Sequence, residues 1–492
     1  MLATAALTLL PLAVPTQEAW TTKLLSAPRQ GAMVVALGGQ ILVAGGEDGS
    51  PNGLSDRVDL FTEATGTSTV ASLSQARAFG STATPPGRAM FAGGVAETSG
   101  MLSPSDVIDV YEQSTGLWSQ LALSEPRFRM ASAQAISLVA FAGGETDLAS
   151  SLPVASATVD LFSNTLPIAT TSLSRPRAQL SGALALTSGG FAFLFAGGRN
   201  GSEVYDDVDV ITLSGTLGGS IGSLSQARYD LCAASTGSRT LFAGGTDANG
   251  VPTDVVDIFT NVGGASWTTA TLSEPRTGMS SATLDGKAYF FGGLDVNGVP
   301  STTVDVFDGL TGIWSTLAPL PTGDSSMNAA VSGPRVYLPN GSLGTDEVFV
   351  LQIAPSIGVP FCGPAQPNSS GLSATVEAIG NAVGIGQPYE VTLHAAAMPT
   401  ATFSMFLAGL SPSTQQVGSG TLCLGSGLLR IRPSIAFVRG AHRYEVQVTD
   451  VDETGAANPI LAGQTWYFQA WFRDLDPGAT SNFTDSVAIS FQ

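Results

Sequence analysis

The chain has 492 residues, 58 of them glycine, with a net charge of −19 and only 12% charged residues. An acidic chain lacks the basic face that nucleic acid or an anionic membrane would need, which argues against both as partners. The length allows two or three domains, and the glycine content favours short strands joined by tight turns. We therefore expect an all-β protein.

The N-terminus predicts export. Residues 1–16 are mostly apolar, with about the length of a signal peptide and too short to span a membrane. No Lys or Arg precedes the apolar stretch and no clean small-x-small cleavage site follows it, so a hydrophobic tail is the alternative. No later apolar segment has spanning length, so we expect no membrane insertion once the signal is removed.

Residues 17–353 repeat one pattern six times. Its first element is Leu-Ser-x-x-Arg, its second is an apolar strand ending in two glycines, and its third is a strand carrying Val-Asp or its equivalent. The arginines lie 48 to 51 residues apart and are Arg29, Arg77, Arg127, Arg177, Arg228 and Arg276. The glycines are Gly45, Gly46, Gly93, Gly94, Gly143, Gly144, Gly197, Gly198, Gly244, Gly245, Gly292 and Gly293. The aspartates are Asp59, Asp109, Asp160, Asp209, Asp257 and Asp305.

A seventh, eroded unit follows, with Asp324 where the arginine should stand and no glycine pair. It ends at Ile353 without a fourth strand. The missing strand is predicted at the other end, because Trp20 precedes Arg29 by the spacing that separates Trp118 from Arg127. Sheets of about four strands that stack radially bury their faces, and pairing of the two chain ends would close the ring.

The apolar-Ala-Gly-Gly strand, followed by a loop and by Val-Asp-Val-Tyr-Glu-Gln-Ser-Thr-Gly-Leu-Trp118, resembles the kelch motif. The resemblance implies units of ~50 residues that each form a four-stranded propeller blade. It covers residues 20–353 and predicts a seven-bladed kelch-type β-propeller, with six blades as the alternative. Three units lack the tryptophan, and the last lacks the glycines.

The repeated residues have structural and functional interpretations. A glycine pair fits where neighbouring blades pack too closely for a Cβ or where φ is positive. The six arginines form an anion-binding collar at the channel mouth, or each bonds carbonyls and an acidic group such as the repeated aspartate. Identical residues in every blade favour the structural interpretation, since ligand sites break the symmetry.

The loops after the glycines vary in length and sequence, so a binding surface is expected there. Asp247-Ala-Asn-Gly250 and Asp295-Val-Asn-Gly298 are similar to the start of a calcium loop. The remaining ligands and the closing Glu are missing, and such sequences are also common turns. We predict no metal and no cofactor.

The sequence shows no catalytic motif. Copper-radical oxidases related to galactose oxidase combine a kelch propeller with further β domains, and the pair Tyr229 and Cys232 invites that comparison. Their site needs two histidines, whereas both histidines here, His394 and His442, lie beyond the repeats. No sialidase Asp box, Gly-x-Ser-x-Gly elbow or phosphate loop is present.

Composition changes after the repeats. Residues 354–361 are predicted to be a linker, and residues 362–492 a β-sandwich of seven short strands. For an exported protein, Cys362 and Cys423 are the expected disulfide, leaving Cys232 as a small buried hydrophobe. The segments Phe361–Gly371 and Trp466–Asp474 resemble a C-terminal module shared by secreted bacterial proteins, which implies attachment or sorting.

One strand of that domain has two distinct faces. Trp466, Phe468, Ala470 and Phe472 alternate with Tyr467, Gln469, Trp471 and Arg473. The first set is predicted to be core. The second is either a sugar-stacking platform or a face covered by another domain, such as the propeller.

These observations favour a secreted or cell-surface, monomeric, non-catalytic propeller that binds an extracellular protein or glycan. The alternative is a propeller enzyme acting on carbohydrate. It would place an asymmetric cluster of Arg, Glu and Tyr at the channel mouth.

Overall fold

We describe a computed structural model of the chain. It covers residues 19–491 except 50–52, 64–65, 99, 151, 153, 219–220, 262–263, 285, 326–327, 342–344, 354–355, 370–372, 383–389, 397, 399–403, 426–427, 432–436, 440–442, 449–459 and 475–479. The predicted signal peptide and His442 lie outside the described residues. The elements in the described part are all strands, as the glycine-rich composition predicted.

The repeat region contains thirty-four strands in the described residues. In chain order they are β1 (Ala19–Leu24), β2 (Met33–Leu37), β3 (Gln40–Ala44), β4 (Arg57–Thr62), β5 (Thr67–Ser72), β6 (Arg77–Ala78), β7 (Ser81–Ala83), β8 (Arg88–Ala92), β9 (Val95–Thr98), β10 (Met101–Pro104), β11 (Val107–Glu112), β12 (Leu117–Ala122), β13 (Ala131–Ala135), β14 (Leu138–Ala142), β15 (Thr158–Ser163), β16 (Leu166–Ser172), β17 (Ser181–Thr187), β18 (Gly190–Ala196), β19 (Arg199–Asn200), β20 (Glu203–Val204), β21 (Val208–Thr212), β22 (Arg228–Tyr229), β23 (Cys232–Ser235), β24 (Arg239–Ala243), β25 (Thr246–Asp247), β26 (Val255–Thr260), β27 (Ser266–Thr271), β28 (Ser280–Leu284), β29 (Lys287–Phe291), β30 (Val304–Asp308), β31 (Trp314–Thr316), β32 (Ala330–Ser332), β33 (Arg335–Pro339) and β34 (Glu347–Gln352).

Each repeat forms one antiparallel sheet. In chain order these sheets are β2-β3-β4-β5, β7-β8-β11-β12, β13-β14-β15-β16, β17-β18-β21, β23-β24-β26-β27, β28-β29-β30-β31 and β32-β33-β34-β1. The last contains the N-terminal strand, which pairs with β34 from Ala19 opposite Gln352 to Leu24 opposite Glu347. Trp20 packs edge-on against Phe349 of that sheet.

Hydrophobic side chains fill the space between neighbouring sheets. One buried cluster joins Leu42 and Val58 of the first sheet to Phe91 of the second. Another joins Ile41 of the first sheet to Tyr337 of the last. The first strands of consecutive sheets contact one another, and β2 also contacts β32. Residues of β7, β13, β17, β23 and β28 line a cavity.

The C-terminal part contains two five-stranded antiparallel sheets and a hairpin. Its strands are β35 (Ser356–Ile357), β36 (Val359–Phe361), β37 (Thr375–Asn381), β38 (Glu390–Ala396), β39 (Ser404–Gly409), β40 (Pro412–Val417), β41 (Gly420–Leu424), β42 (Leu429–Arg430), β43 (Phe437–Arg439), β44 (Arg443–Val448), β45 (Thr465–Asp474) and β46 (Thr480–Ser490). The sheets are β35-β37-β38-β44-β43 and β36-β46-β45-β39-β42. Val391 and Leu393 of one share a buried cluster with Trp466 and Phe468 of the other.

The disulfide prediction is confirmed, and the linker prediction is corrected. Cys362 and Cys423 are bonded, and Cys232 is free and buried. Residues 356–361, expected to be linker, instead form β35 and β36, which pair with β37 and β46. Without these two strands, β37 and β46 would each be an open edge with unpaired amides and carbonyls, and the pairing satisfies those groups.

The two faces of β45 differ in burial. Trp466, Phe468, Ala470 and Phe472 are at most 2% exposed, as predicted. Tyr467 and Trp471 on the other face pack with Leu422 and Leu424 of the β40–β41 hairpin. A hairpin of the same domain therefore packs on part of this second face, on which Tyr467 and Trp471 stay half-buried and Arg473 is exposed. Sequence alternation showed the two faces but not what covers the second one.

Candidate ligand-binding site in the central cavity

The glycine pairs lie where one sheet meets the next. All twelve repeat glycines have positive φ. The amide of Gly46 donates to the carbonyl of Arg77 in the following repeat, at 2.9 Å. A Cβ on Gly45 would lie 2.3 Å from that same oxygen, so only glycine fits. The other five pairs make the equivalent contact to the next repeat, which accounts for them as structural residues.

The repeat arginines join two sheets. While the Arg127 carbonyl accepts from Gly94 of the preceding sheet, its side chain reaches its own sheet. There the guanidinium donates to the carbonyls of Gly143 and Thr158, each at 2.7 Å, and pairs with Asp160. Burial lowers the pKa of this guanidinium, and the Asp160 charge opposes that effect.

All six arginines are 0–1% exposed, and each side chain pairs with the aspartate of its own repeat. The carbonyl contact is made by five of them, because the eroded repeat before Arg29 has no glycine pair to donate. Their carboxylate partners are Asp59, Asp109, Asp160, Asp209, Asp257 and Asp305. The collar interpretation is therefore corrected, because guanidinium groups enclosed in this way present no donors to a ligand. A buried charge persists only when it is paired and hydrogen-bonded, and the repeated aspartate meets that need.

The two Asp-x-Asn-Gly loops are internally bonded turns. Asp247 accepts from the amides of Asn249 and Val251, and Asp295 makes the same two bonds in the next repeat. These bonds hold the pKa of both carboxyls below their usual range. The carboxylates thus close turns, as Asp commonly does.

A cavity of about 440 Å³ lies between the first strands of the sheets. Its lining includes the residue two positions after the arginine in five of the six repeats, Gly278 being the exception. That residue has φ between 50° and 64° in all six repeats: Gly31, Phe79, Arg129, Gln179, Asp230 and Gly278. Their backbones form a chain of hydrogen bonds from repeat to repeat, with N···O distances of 2.9–3.5 Å. Two repeats use glycine here, as the left-handed conformation favours, and four carry side chains instead.

The side chains at this position break the sixfold pattern. Arg129 is exposed, lies over the ring of Phe79 at 5.4 Å, and donates to Glu145 at 3.3 Å. Glu145 follows the glycine pair of the same repeat. Arg129 makes no other side-chain hydrogen bond to the described residues, and it lines the cavity.

The next two repeats contribute further polar side chains beside Arg129. Gln179 donates to Asp230 at 3.2 Å and accepts from Nε of Arg199. Arg199 follows its own glycine pair and lies 4.3 Å from the ring of Tyr229. We call Arg129, Gln179 and Asp230, which line the cavity, the polar arc. Glu145 bonds Arg129 and Arg199 bonds Gln179, and these two contacts orient the polar arc.

The electrostatics of the arc centre on Asp230. This carboxyl is half-buried at the cavity wall, and desolvation raises its pKa to about 6 despite the nearby charges of Arg129 and Arg199. The Cys232 thiol beside the cavity is buried, which raises its pKa to about 12 and leaves it unreactive. The arc thus presents a cation and a carboxyl that titrates near neutral pH.

Sequence reasoning missed the polar arc because it followed the residues that repeat. The signal was present in what does not repeat: after aligning the arginines, the residue two positions later varies from glycine to Phe, Arg, Gln and Asp. The residue after each glycine pair varies too, including Glu145 and Arg199.

Comparison with known proteins supports the repeat assignment. The family model described as Kelch motif matches residues 275–321, so the chain contains a kelch motif. None of the curated proteins matches the chain. A solved structure titled "Structure of YjhT" is similar at 17% identity and a TM-score of 0.38, over 49% of this chain and 84% of that one. Similarity at that level carries no functional argument.

Two kinds of feature are absent from the described residues. In that part of the chain no helix has the length and apolarity to cross a membrane. The same residues contain no group of three or more His, Cys, Asp or Glu side chains placed to hold a metal ion.

Proposed function

We propose that this chain is a secreted kelch propeller that binds an extracellular protein or glycan in the mouth of its central cavity, without catalysis and without a cofactor. Seven blades form the ring, β1 closes it, and the C-terminal part is a β-sandwich module that attaches or sorts the protein. The Cys362–Cys423 disulfide supports an oxidising compartment.

The polar arc is the observation that carries the proposal. Residues that serve the fold recur from sheet to sheet, as the buried Arg–Asp pairs do in six of the seven sheets, whereas the arc occupies three neighbouring sheets only. A concave site with a few convergent polar groups is the usual form of a binding pocket. Arg335 in the β32–β33 turn bonds Glu377 of the C-terminal part at 3.4 Å. That turn lies at the other end of the inner strands, so the arc end stays accessible.

A binding screen tests the proposal. The full chain is applied to an array of glycans and extracellular proteins, beside an R129Q/D230N double variant. The control is R175Q, since Arg175 is half exposed, pairs with Asp207 and lies outside the cavity. We expect a ligand that the wild type and R175Q bind and the double variant does not. Absence of any ligand, or equal binding by the double variant, contradicts the proposal.

The arc also favours a second candidate, an enzyme acting on sugars. Asp230, with a pKa of about 6, has the protonation behaviour of a general acid or base, and Arg129 would stabilise a developing negative charge. Tyr229, Glu145 and Arg199 add the asymmetric Arg, Glu and Tyr cluster expected of such an enzyme. Turnover on a glycan panel, lost in D230N with binding retained, would select this function over binding alone.

A further inference from the structure

The chemistry of the polar arc narrows the class of ligand. We propose that the cavity binds the acidic unit of a glycan, a sugar ring that carries a carboxylate, with Arg129 pairing with the carboxylate and Asp230 accepting from a ring hydroxyl. This inference rests on the proposed binding function and goes beyond it by naming the group recognised.

Arg129 is the reason to expect an anion. The chain carries 39 acidic residues against 20 Lys and Arg, so a cation facing the cavity is unusual for this protein. Its side chain sits on backbone at φ 50°, where two other repeats have glycine. Glu145 takes one donor of the guanidinium, and the remaining donors suit the planar fork of a carboxylate.

Asp230 and the cavity wall are the reasons to expect a sugar. Gln179 fixes one oxygen of Asp230 at 3.2 Å, and no described residue bonds the other oxygen, which is left to accept a ligand hydroxyl. The hydroxyls of Ser132 and Ser181 line the cavity, and neither hydroxyl has a hydrogen-bond partner among the described residues. Phe79 also lines the cavity, with the Arg129 guanidinium over its ring.

The size of the cavity agrees with this class. Its volume of about 440 Å³ lies within the range of small-molecule sites, about 300–1,000 Å³. A cavity of this volume encloses a small unit better than it fits the extended surface of a protein, so we favour a terminal sugar unit over a protein epitope.

The test compares an acid with its neutral ester. Titration calorimetry of the full chain measures affinity for digalacturonic and diglucuronic acid and for their methyl esters, which keep every hydroxyl. We expect the wild type to bind one of the acids at least about tenfold more tightly than its ester, since a hydrogen bond to a charged group contributes that much. R129Q should remove this preference, and R175Q should keep it.

The outcomes separate this inference from the binding function. Equal affinity for acid and ester, no affinity for either, or an acid preference that survives R129Q overturns the inference. The array could then still yield a neutral glycan or a protein that R129Q/D230N fails to bind. In that case the binding function stands, and only the inference of an acidic sugar fails. A peptide with a free C-terminus, tested beside its amide, serves as the protein alternative, and its preferential binding also overturns the inference.

Discussion

At the scale of single residues, Arg127 and Arg129 lie two positions apart in one repeat and have different roles. Arg127 is fully buried between sheets, while Arg129 is exposed over Phe79 at the cavity. The sequence predicted the first role from repetition, because six equivalent arginines need six equivalent partners. It could not predict the second, because a side chain that occurs in one repeat only becomes informative once its neighbours in space are known.

Methionine substitutions should separate the two roles. R127M leaves Asp160 buried without its cation, so we expect the free energy of unfolding to fall by about 3–5 kcal/mol. R129M removes an exposed side chain but leaves the buried Glu145 without its cation, so we expect a smaller loss of about 1 kcal/mol. Urea unfolding of both variants measures this. Equal losses in the two variants would contradict the division.

Ile136 offers a stabilising change. It is 65% exposed in the turn between β13 and β14, with φ of 52°, a conformation that a β-branched residue adopts only under strain. The corresponding turn of the first repeat has Gly38 with φ of 53°. We expect I136G to raise the free energy of unfolding by about 1 kcal/mol. I136V, which keeps the branched side chain, is the matched control and should leave stability nearly unchanged.

Asp230 should titrate near pH 6. Its folded pKa is raised from 3.8 to about 6, so the folded protein holds a proton that the unfolded chain releases. The resulting stabilisation is fully present below about pH 4 and is lost as pH rises through about 6. D230N should therefore gain stability relative to wild type over that interval, with asparagine accepting the left-handed backbone. Carboxyl NMR of the wild type checks the pKa directly, and titration near pH 4 would contradict it.

At the scale of elements, β1 is the strand that the eroded repeat lacks. Its spacing was readable from Trp20 and Arg29, and the structure pairs it with β34. The strands of the C-terminal part were less predictable. Alternation identified β45, but β35 and β36 are short and lie where glycine and proline indicate a linker, so only their pairing partners define them.

Removal of β1 should destabilise the repeat region. Without residues 1–24, β34 becomes an open edge and the contacts of Trp20 with Phe291 and Phe349 are lost. We expect a midpoint of thermal unfolding several degrees lower than for a control that lacks only residues 1–18. A pair of identical midpoints would show that β1 contributes nothing to the last sheet.

At the scale of the whole molecule, the repeat region and the C-terminal part each bury their own core. The disulfide lies wholly in the second and closes a loop of 61 residues. A C362S/C423S variant should lower the stability of that part by about 4 kcal/mol, from the entropy the unfolded chain regains. We expect two calorimetric transitions with only one shifted. C232S, which removes the unpaired thiol, provides a comparison that leaves the disulfide intact.

The central claim is that the ligand enters the cavity beside the polar arc. Ser132 lines the cavity in β13, and S132F would fill the space while leaving Arg129, Gln179 and Asp230 in place. Calorimetry with the strongest ligand from the array, on wild type and on S132F with an unchanged circular dichroism spectrum, measures this most directly. We predict that S132F loses at least about tenfold in affinity, as expected when a pocket no longer admits its ligand. Unchanged affinity in a folded S132F protein would place the ligand elsewhere and contradict the account.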